Sequence, residues 1–169
     1  RAASLGVDAL LAAVPPLAGW PIECQQLTQV DSKDMDLALW LALLAVLRRQ
    51  LQRAEVVGVV ITHGTDTLEE TAYFLHRVLA PAKPVLLTAA MRPATSLQAD
   101  GPQNLLDAVT LARAGDAGGV RVVMGGQVFG AADLRYLGVA RTANGTTRTA
   151  QVTLAQVTLE GHEAQRVRA

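Results

Sequence analysis

Apolar residues along the chain alternate between helix-like and strand-like spacing, the pattern of βαβ units and a parallel sheet. Gly6 to Ala13 reads as a short amphipathic helix, stopped by Pro15 and Pro16. Leu27 to Val30 is a strand candidate. Leu37 to Leu51 carries apolar residues all round and leads into Arg48, Arg49 and Arg53, cations that suit the negative end of a helix dipole. Val56 to Ile61 is a β-branched run without charge, as expected of a strand buried on both faces. Thr67 and Glu70 have capping-box spacing and open a helix reaching about Leu79, before Pro81 and Pro84. Val85 to Thr88 is the next strand, and Asp100 is placed to cap a helix from Pro102 to Arg113. Val120 to Met124 is a further apolar strand, after which the pattern becomes irregular.

The expected fold class is α/β, an open and mostly parallel sheet flanked by helices. Residues 1–140 form one α/β domain in this reading, and 141–169 are a Thr-, Gln- and Arg-rich tail without an assigned element. Ligands of such sheets gather beyond the carboxyl ends of the strands.

Charge narrows the partners. The 169 residues hold 15 Lys+Arg and 15 Asp+Glu, a formal net charge of zero, which argues against nucleic acid or an anionic membrane. Half the chain is hydrophobic, charged residues make up 18%, and mean hydropathy is +0.25, so a buried core is expected rather than disorder. The longest apolar stretches fall short of the ~20 residues a spanning helix needs. A single cysteine, Cys24, makes no internal disulfide, and His63, His76 and His162 lack metal-ligand spacing.

Candidate chemistry sits after the strands. Thr62-His63-Gly64-Thr65-Asp66-Thr67 follows the Val56 to Ile61 strand and precedes a helix whose free N–H groups suit a carboxylate or oxyanion. Thr67 as a cap and Asp66 as a first-turn acid would be purely structural, but capping does not require Thr65 and Asp66. Asp31-Ser32-Lys33-Asp34-Met35 is a second polar loop before a helix, readable either as a site or as a solvated turn with Asp34 as the cap. Ala89 and Ala90 after the third strand either admit close backbone approach to a ligand or serve tight helix–sheet packing. Neither G-x-G-x-x-G nor G-x-x-x-x-G-K-[ST] occurs.

The string Ile61-Thr62-His63-Gly64-Thr65-Asp66-Thr67-Leu68-Glu69-Glu70-Thr71-Ala72 resembles the second signature of the bacterial-type L-asparaginases and glutaminase-asparaginases. Ala90-Met91-Arg92-Pro93-Ala94-Thr95-Ser96 and Ala99-Asp100-Gly101-Pro102-Gln103-Asn104-Leu105 resemble the stretch that follows it, in the type II branch. The resemblance runs from about Gly6 to about Asp133. It implies the Rossmann-like N-terminal domain of that family and hydrolysis of the side-chain amide of asparagine, often also glutamine. Thr65 is then the second catalytic threonine and Asp66 the group that binds the substrate α-amino group. Ser32 falls where the family holds the α-carboxylate, and Ala90 where a backbone carbonyl meets the side-chain amide. The implied mechanism is covalent, through a threonine, with no metal or organic cofactor. The implied partners are a small amino-acid substrate and other copies of the chain, the family forming homotetramers.

Some positions depart from the family pattern. The first signature, T-G-G-T-I, which supplies the attacking threonine, does not occur, nor does the lid tyrosine beside it. The lysine that pairs with the second threonine is expected after Asp133, where the run is Leu134-Arg135-Tyr136, and the only lysines are Lys33 and Lys83. The expectation is therefore an asparaginase-type domain incomplete at its N-terminus, a partial or impaired amidohydrolase, or alternatively a non-catalytic amino-acid-binding module or degenerate pseudoenzyme. A sheet edge left open would favour an oligomer unless the segment Val152 to Leu159 covers it.

Overall fold

Three charge-poor runs form the centre of the sheet. In the computed structural model, which describes residues 6–115, 118–132, 134 and 151–158, β2 (Val56–Thr62), β3 (Pro84–Thr88) and β4 (Gly119–Met124) pair side by side in parallel. Their side chains alternate between two buried faces. Val59, Ile61, Val85, Leu87 and Val122 enter one apolar cluster, while Val60, Leu86 and Val123 enter the other. Burial on both faces is why β2 and β3 read as continuous apolar runs rather than alternating ones, and in β4 only Arg121 interrupts the run.

Helices cover both faces. α2 (Leu37–Gln52) and α3 (Leu68–Val78) supply Leu43, Leu47, Leu68, Ala72 and Leu75 to the first cluster. On the opposite face, α4 (Gly101–Ala114) supplies Leu105, Ala108, Val109 and Ala112. Leu10 and Leu11 of α1 (Val7–Ala12) and Leu17 of the short 3-10 turn Pro15–Leu17 complete that second layer. Although α2 reads as apolar all round, only one face is buried, and Leu37 and Leu41 stand 61% and 51% exposed.

The sheet extends beyond the three parallel strands. β1 (Ile22–Gln29) is longer than the strand expected at Leu27 to Val30. Glu23, Gln25 and Gln26 interrupt its apolar pattern and hide it from a periodicity reading. β5 (Gln127–Gly130) returns antiparallel to β4 through Gly125 and Gly126, both at positive φ, which fits a two-residue type I′ turn. From the tail without an assigned element comes β6 (Gln151–Thr158), which lies between β1 and β2 and is antiparallel to both. The remainder of 141–169 lies outside the described residues. The full order is β1-β6-β2-β3-β4-β5. Since β1 and β2 both run against β6, the carboxyl ends of β1, β2, β3 and β4 share one edge of the sheet.

Two caps differ from expectation. The helix after β1 is capped by Asp36, whose carboxylate accepts from Leu39 N at 2.8 Å, and not by Asp34, which sits in the 3-10 turn Ser32–Asp34. Asp100 precedes α4 but makes no side-chain cap, because its carboxylate is turned to the preceding loop.

Gly58 marks the closest approach of sheet and helix. A Cβ there would lie 2.9 Å from the Ala112 carbonyl oxygen and 3.0 Å from Pro84 Cγ. Gly58→Ala is therefore expected to lower stability by about 1–3 kcal/mol through overpacking. The measurement is the urea midpoint, and an unchanged midpoint would contradict the tight β2–α4 contact.

Candidate active site

The loops after β1 and β2 are joined through Ser32. This residue is only 1% exposed. Its Oγ accepts from the Asp66 backbone N–H at 3.2 Å, and its carbonyl accepts from Thr67 Oγ1 at 2.7 Å. The capping box expected at Thr67 and Glu70 is therefore not formed, because the Thr67 hydroxyl makes no cap and is spent across the loops. A hydroxyl that accepts one hydrogen bond keeps its own proton to donate, so Ser32 can still serve an anionic ligand. Beside it, Asp31 accepts from Lys33 Nζ at 3.2 Å. That hydrogen bond, with the charges of Asp31, Asp34 and Asp66, holds the Lys33 ammonium above its ordinary pKa.

Thr65 and Asp66 follow directly. Thr65 is half-buried, Asp66 is exposed, and among the described residues neither side chain makes a hydrogen bond. A hydroxyl and a carboxylate thus stand uncommitted at the strand edge, with a serine hydroxyl tied to the intervening backbone. Such a set can meet an ammonium through Asp66 and an anion or carbonyl through the two hydroxyls.

A buried polar chain lies behind the loop. Trp40 Nε1 donates to Thr71 Oγ1 at 2.9 Å, and Thr71 Oγ1 lies 3.0 Å from His63 Nε2. The other ring nitrogen, His63 Nδ1, lies 2.7 Å from the Gly64 carbonyl oxygen. A carbonyl can only accept, so Nδ1 carries the hydrogen and Nε2 accepts from the Thr71 hydroxyl. Every proton in the chain then has a place. Burial holds the His63 pKa below its ordinary value, outweighing the contribution of the Gly64 carbonyl, and the ring is neutral. The rings of Trp40 and Phe74 stack beside it, 5.3 Å apart.

The β3 end is held separately. The backbone N–H of His63 donates to the Thr88 carbonyl at 2.8 Å, linking the ends of β2 and β3. Ala89 is buried in the core, so the packing reading of that small residue holds, whereas Ala90 is half-buried beside Gly101. Asp100 accepts from Met91 N at 3.0 Å and from Arg92 N at 2.8 Å. Burial alone would raise its pKa, but these backbone hydrogen bonds outweigh that and hold the carboxyl below its usual range. Asn104, 2% exposed, donates to the Ala89 carbonyl at 2.8 Å and accepts from Gly125 N at 2.9 Å.

Ser32, Thr65 and Asp66 are thus brought together, with Ala90 one strand over. Tyr136, at the lysine position, and Asp133 lie outside the described residues. Sequence reasoning missed Trp40, Thr71 and Asn104. Thr71 carried the one usable signal, a hydroxyl in the apolar stripe of Leu68, Ala72 and Leu75.

These features define an α/β domain with a polar constellation where parallel strands end. The family description "Asparaginase, N-terminal" matches residues 1–163, and the chain belongs to the asparaginase family. It is 43% identical over 137 residues to a probable periplasmic L-asparaginase of Haemophilus influenzae, an alignment covering 79% of this chain and 39% of that protein. Over 133 residues it is 42% identical to L-asparaginase 2 of Escherichia coli, covering 77% of this chain and 38% of the relative. Among solved structures, a probable cytoplasmic L-asparaginase from Campylobacter jejuni superposes with a TM-score of 0.69 at 39% identity, covering 76% of this chain and 41% of that one. The chain spans about two fifths of the length of these relatives.

The neutral, buried His63 makes stability depend on pH. Its folded-state pKa lies below the unfolded value of 6.5, so the unfolded chain takes up the proton first. The stabilisation is complete above that value and is lost as pH falls below it, at up to about 1.4 kcal/mol per pH unit. Urea unfolding is expected to show a steeper loss from neutral to mildly acidic pH in the native chain than in His63→Gln. Parallel profiles would contradict a neutral His63.

Proposed function

We propose that this chain provides the amino-acid grip and the second catalytic threonine of an L-asparaginase-type amidohydrolase acting on the side-chain amide of L-asparagine, and of L-glutamine. The observation that carries this reading is the join of Ser32 to the Asp66 backbone beside an uncommitted Thr65 hydroxyl. Asp66 meets the substrate α-ammonium, and Ser32 donates to the α-carboxylate. The Ala90 carbonyl accepts from the side-chain amide. In the reaction a threonine hydroxyl attacks the amide carbon, backbone N–H groups stabilise the oxyanion, ammonia leaves, and water hydrolyses the acyl-enzyme. No metal or organic cofactor enters this scheme. The acting unit is a homo-oligomer, as exposed Leu37, Leu41, Tyr73 and Val128 favour.

A second reading is favoured by Tyr136 at the position where the family resemblance expects a lysine. Tyrosine titrates near ~10 and is a poor base at neutral pH. On that reading the domain binds an amino acid through Ser32 and Asp66 without turning it over.

Ammonia release from L-asparagine and L-glutamine, compared with Thr65→Ala, separates the two. The first reading expects release, with Thr65 serving without the T-G-G-T-I threonine, that falls at least about 100-fold in Thr65→Ala, the scale of losing one catalytic group. The second expects none from either protein but calorimetric binding of L-aspartate that Asp66→Asn removes with the fold intact. Neither release nor binding would overturn both readings.

A further inference from the structure

We propose that Asp100 and Asn104 are positioning residues that aim the Ala90 carbonyl, so that the domain selects amino acids bearing a side-chain amide. The inference rests on the role given to Ala90 above, and it follows from which backbone groups these two side chains hold.

Ala90 lies between two peptide units, and each is pinned from the start of α4, by Asp100 just before the helix and by Asn104 within it. On one side, Asn104 Nδ2 donates to the Ala89 carbonyl at 2.8 Å. On the other, Asp100 Oδ2 accepts from Met91 N at 3.0 Å, while Asp100 Oδ1 accepts from Arg92 N at 2.8 Å. The Met91 N–H and the Ala90 C=O belong to one planar trans peptide, and no cis bond occurs among the described residues. In such a unit the N–H and C=O point in opposite directions. Holding the Met91 N–H on Asp100 therefore turns the Ala90 C=O away from Asp100 and fixes its direction.

The two side chains also hold each other. Asn104 Nδ2 lies 3.4 Å from Asp100 Oδ2, and Asn104 Oδ1 accepts from Gly125 N at 2.9 Å. A cleft opens here between the β3 and β4 ends, lined by Met91, Arg92, Met124, Gly125, Gln127 and Phe129. Asn104 thus ties together the two strand ends that flank it. The amide of Asn104 is buried and both of its ends are used, so its orientation is determined by its partners. Hydrogen bonds to the Asp100 carboxylate are charge-assisted and roughly twice as strong as neutral ones, which suits a clamp. In a helix-capping role, Asp100 would bond the α4 backbone, and it does not.

The test compares two ligands that share the α-amino and α-carboxylate groups. L-Asparagine has the side-chain amide and L-2-aminobutyrate lacks it. Calorimetry on the full chain in a Thr65→Ala background avoids consumption of L-asparagine. Adding Asp100→Ala is expected to weaken L-asparagine binding about tenfold, the effect of one charged hydrogen bond, with L-2-aminobutyrate within about twofold. Asp100→Asn, which keeps one acceptor, is expected to lose about threefold for L-asparagine alone, and it decides the matter should Asp100→Ala not fold. Equal weakening of both ligands, or none, overturns the inference and leaves the Ser32 and Asp66 grip standing. Failure of the native chain to bind L-2-aminobutyrate, which it cannot consume, overturns the proposed function and this inference with it.

Discussion

Ser32 is the joint on which the site depends. Its Oγ takes the Asp66 N–H and its carbonyl takes the Thr67 hydroxyl, so two loops more than thirty residues apart in sequence become one rigid unit. The joint works because Ser32 is buried, where an unpaired hydroxyl or carbonyl would be costly and alternatives through water are absent. Moving either loop would break both bonds at once. The side chains of Thr65 and Asp66 can therefore be left without hydrogen bonds among the described residues and still hold a defined place.

The same economy runs along the whole strand edge. β2 is tied to β3 by His63 N on the Thr88 carbonyl, and β3 to β4 by Thr88 Oγ1 on the Val123 carbonyl at 2.8 Å. Asn104 then ties β3 to the turn after β4. Among the described residues, most buried polar side chains gather near the carboxyl ends of the strands, while the interiors of β2 and β3 are apolar. This separates two tasks, since apolar burial on both faces stabilises the sheet and satisfied polar groups at its edge preorganise a site.

What the sequence disclosed follows the range of the interactions involved. β2, β3 and β4 were legible because burial on both faces imposes an apolar run on consecutive residues. The Thr65-Asp66 loop was legible because its residues are contiguous, and Ser32 through its short polar loop. β1 was underestimated because Glu23, Gln25 and Gln26 mask its period. β6 gave no element by periodicity, since its place depends on pairing with strands about a hundred residues away. Local rules also lost to tertiary contacts: Thr67 had the spacing of a cap, but Ser32 offered its hydroxyl a buried acceptor. The Trp40, Thr71 and His63 chain and the Asn104 clamp join residues from separate elements, which no spacing rule reports.

On the proposed function, the joined β1 and β2 loops grip the backbone groups of an α-amino acid. A crystal structure of the chain soaked with L-aspartate tests it most directly. Density is expected at the strand edge, with the ligand ammonium on the Asp66 carboxylate and its α-carboxylate within hydrogen-bond reach of Ser32 Oγ. Aspartate bound elsewhere, or an empty edge at saturating ligand, would contradict it.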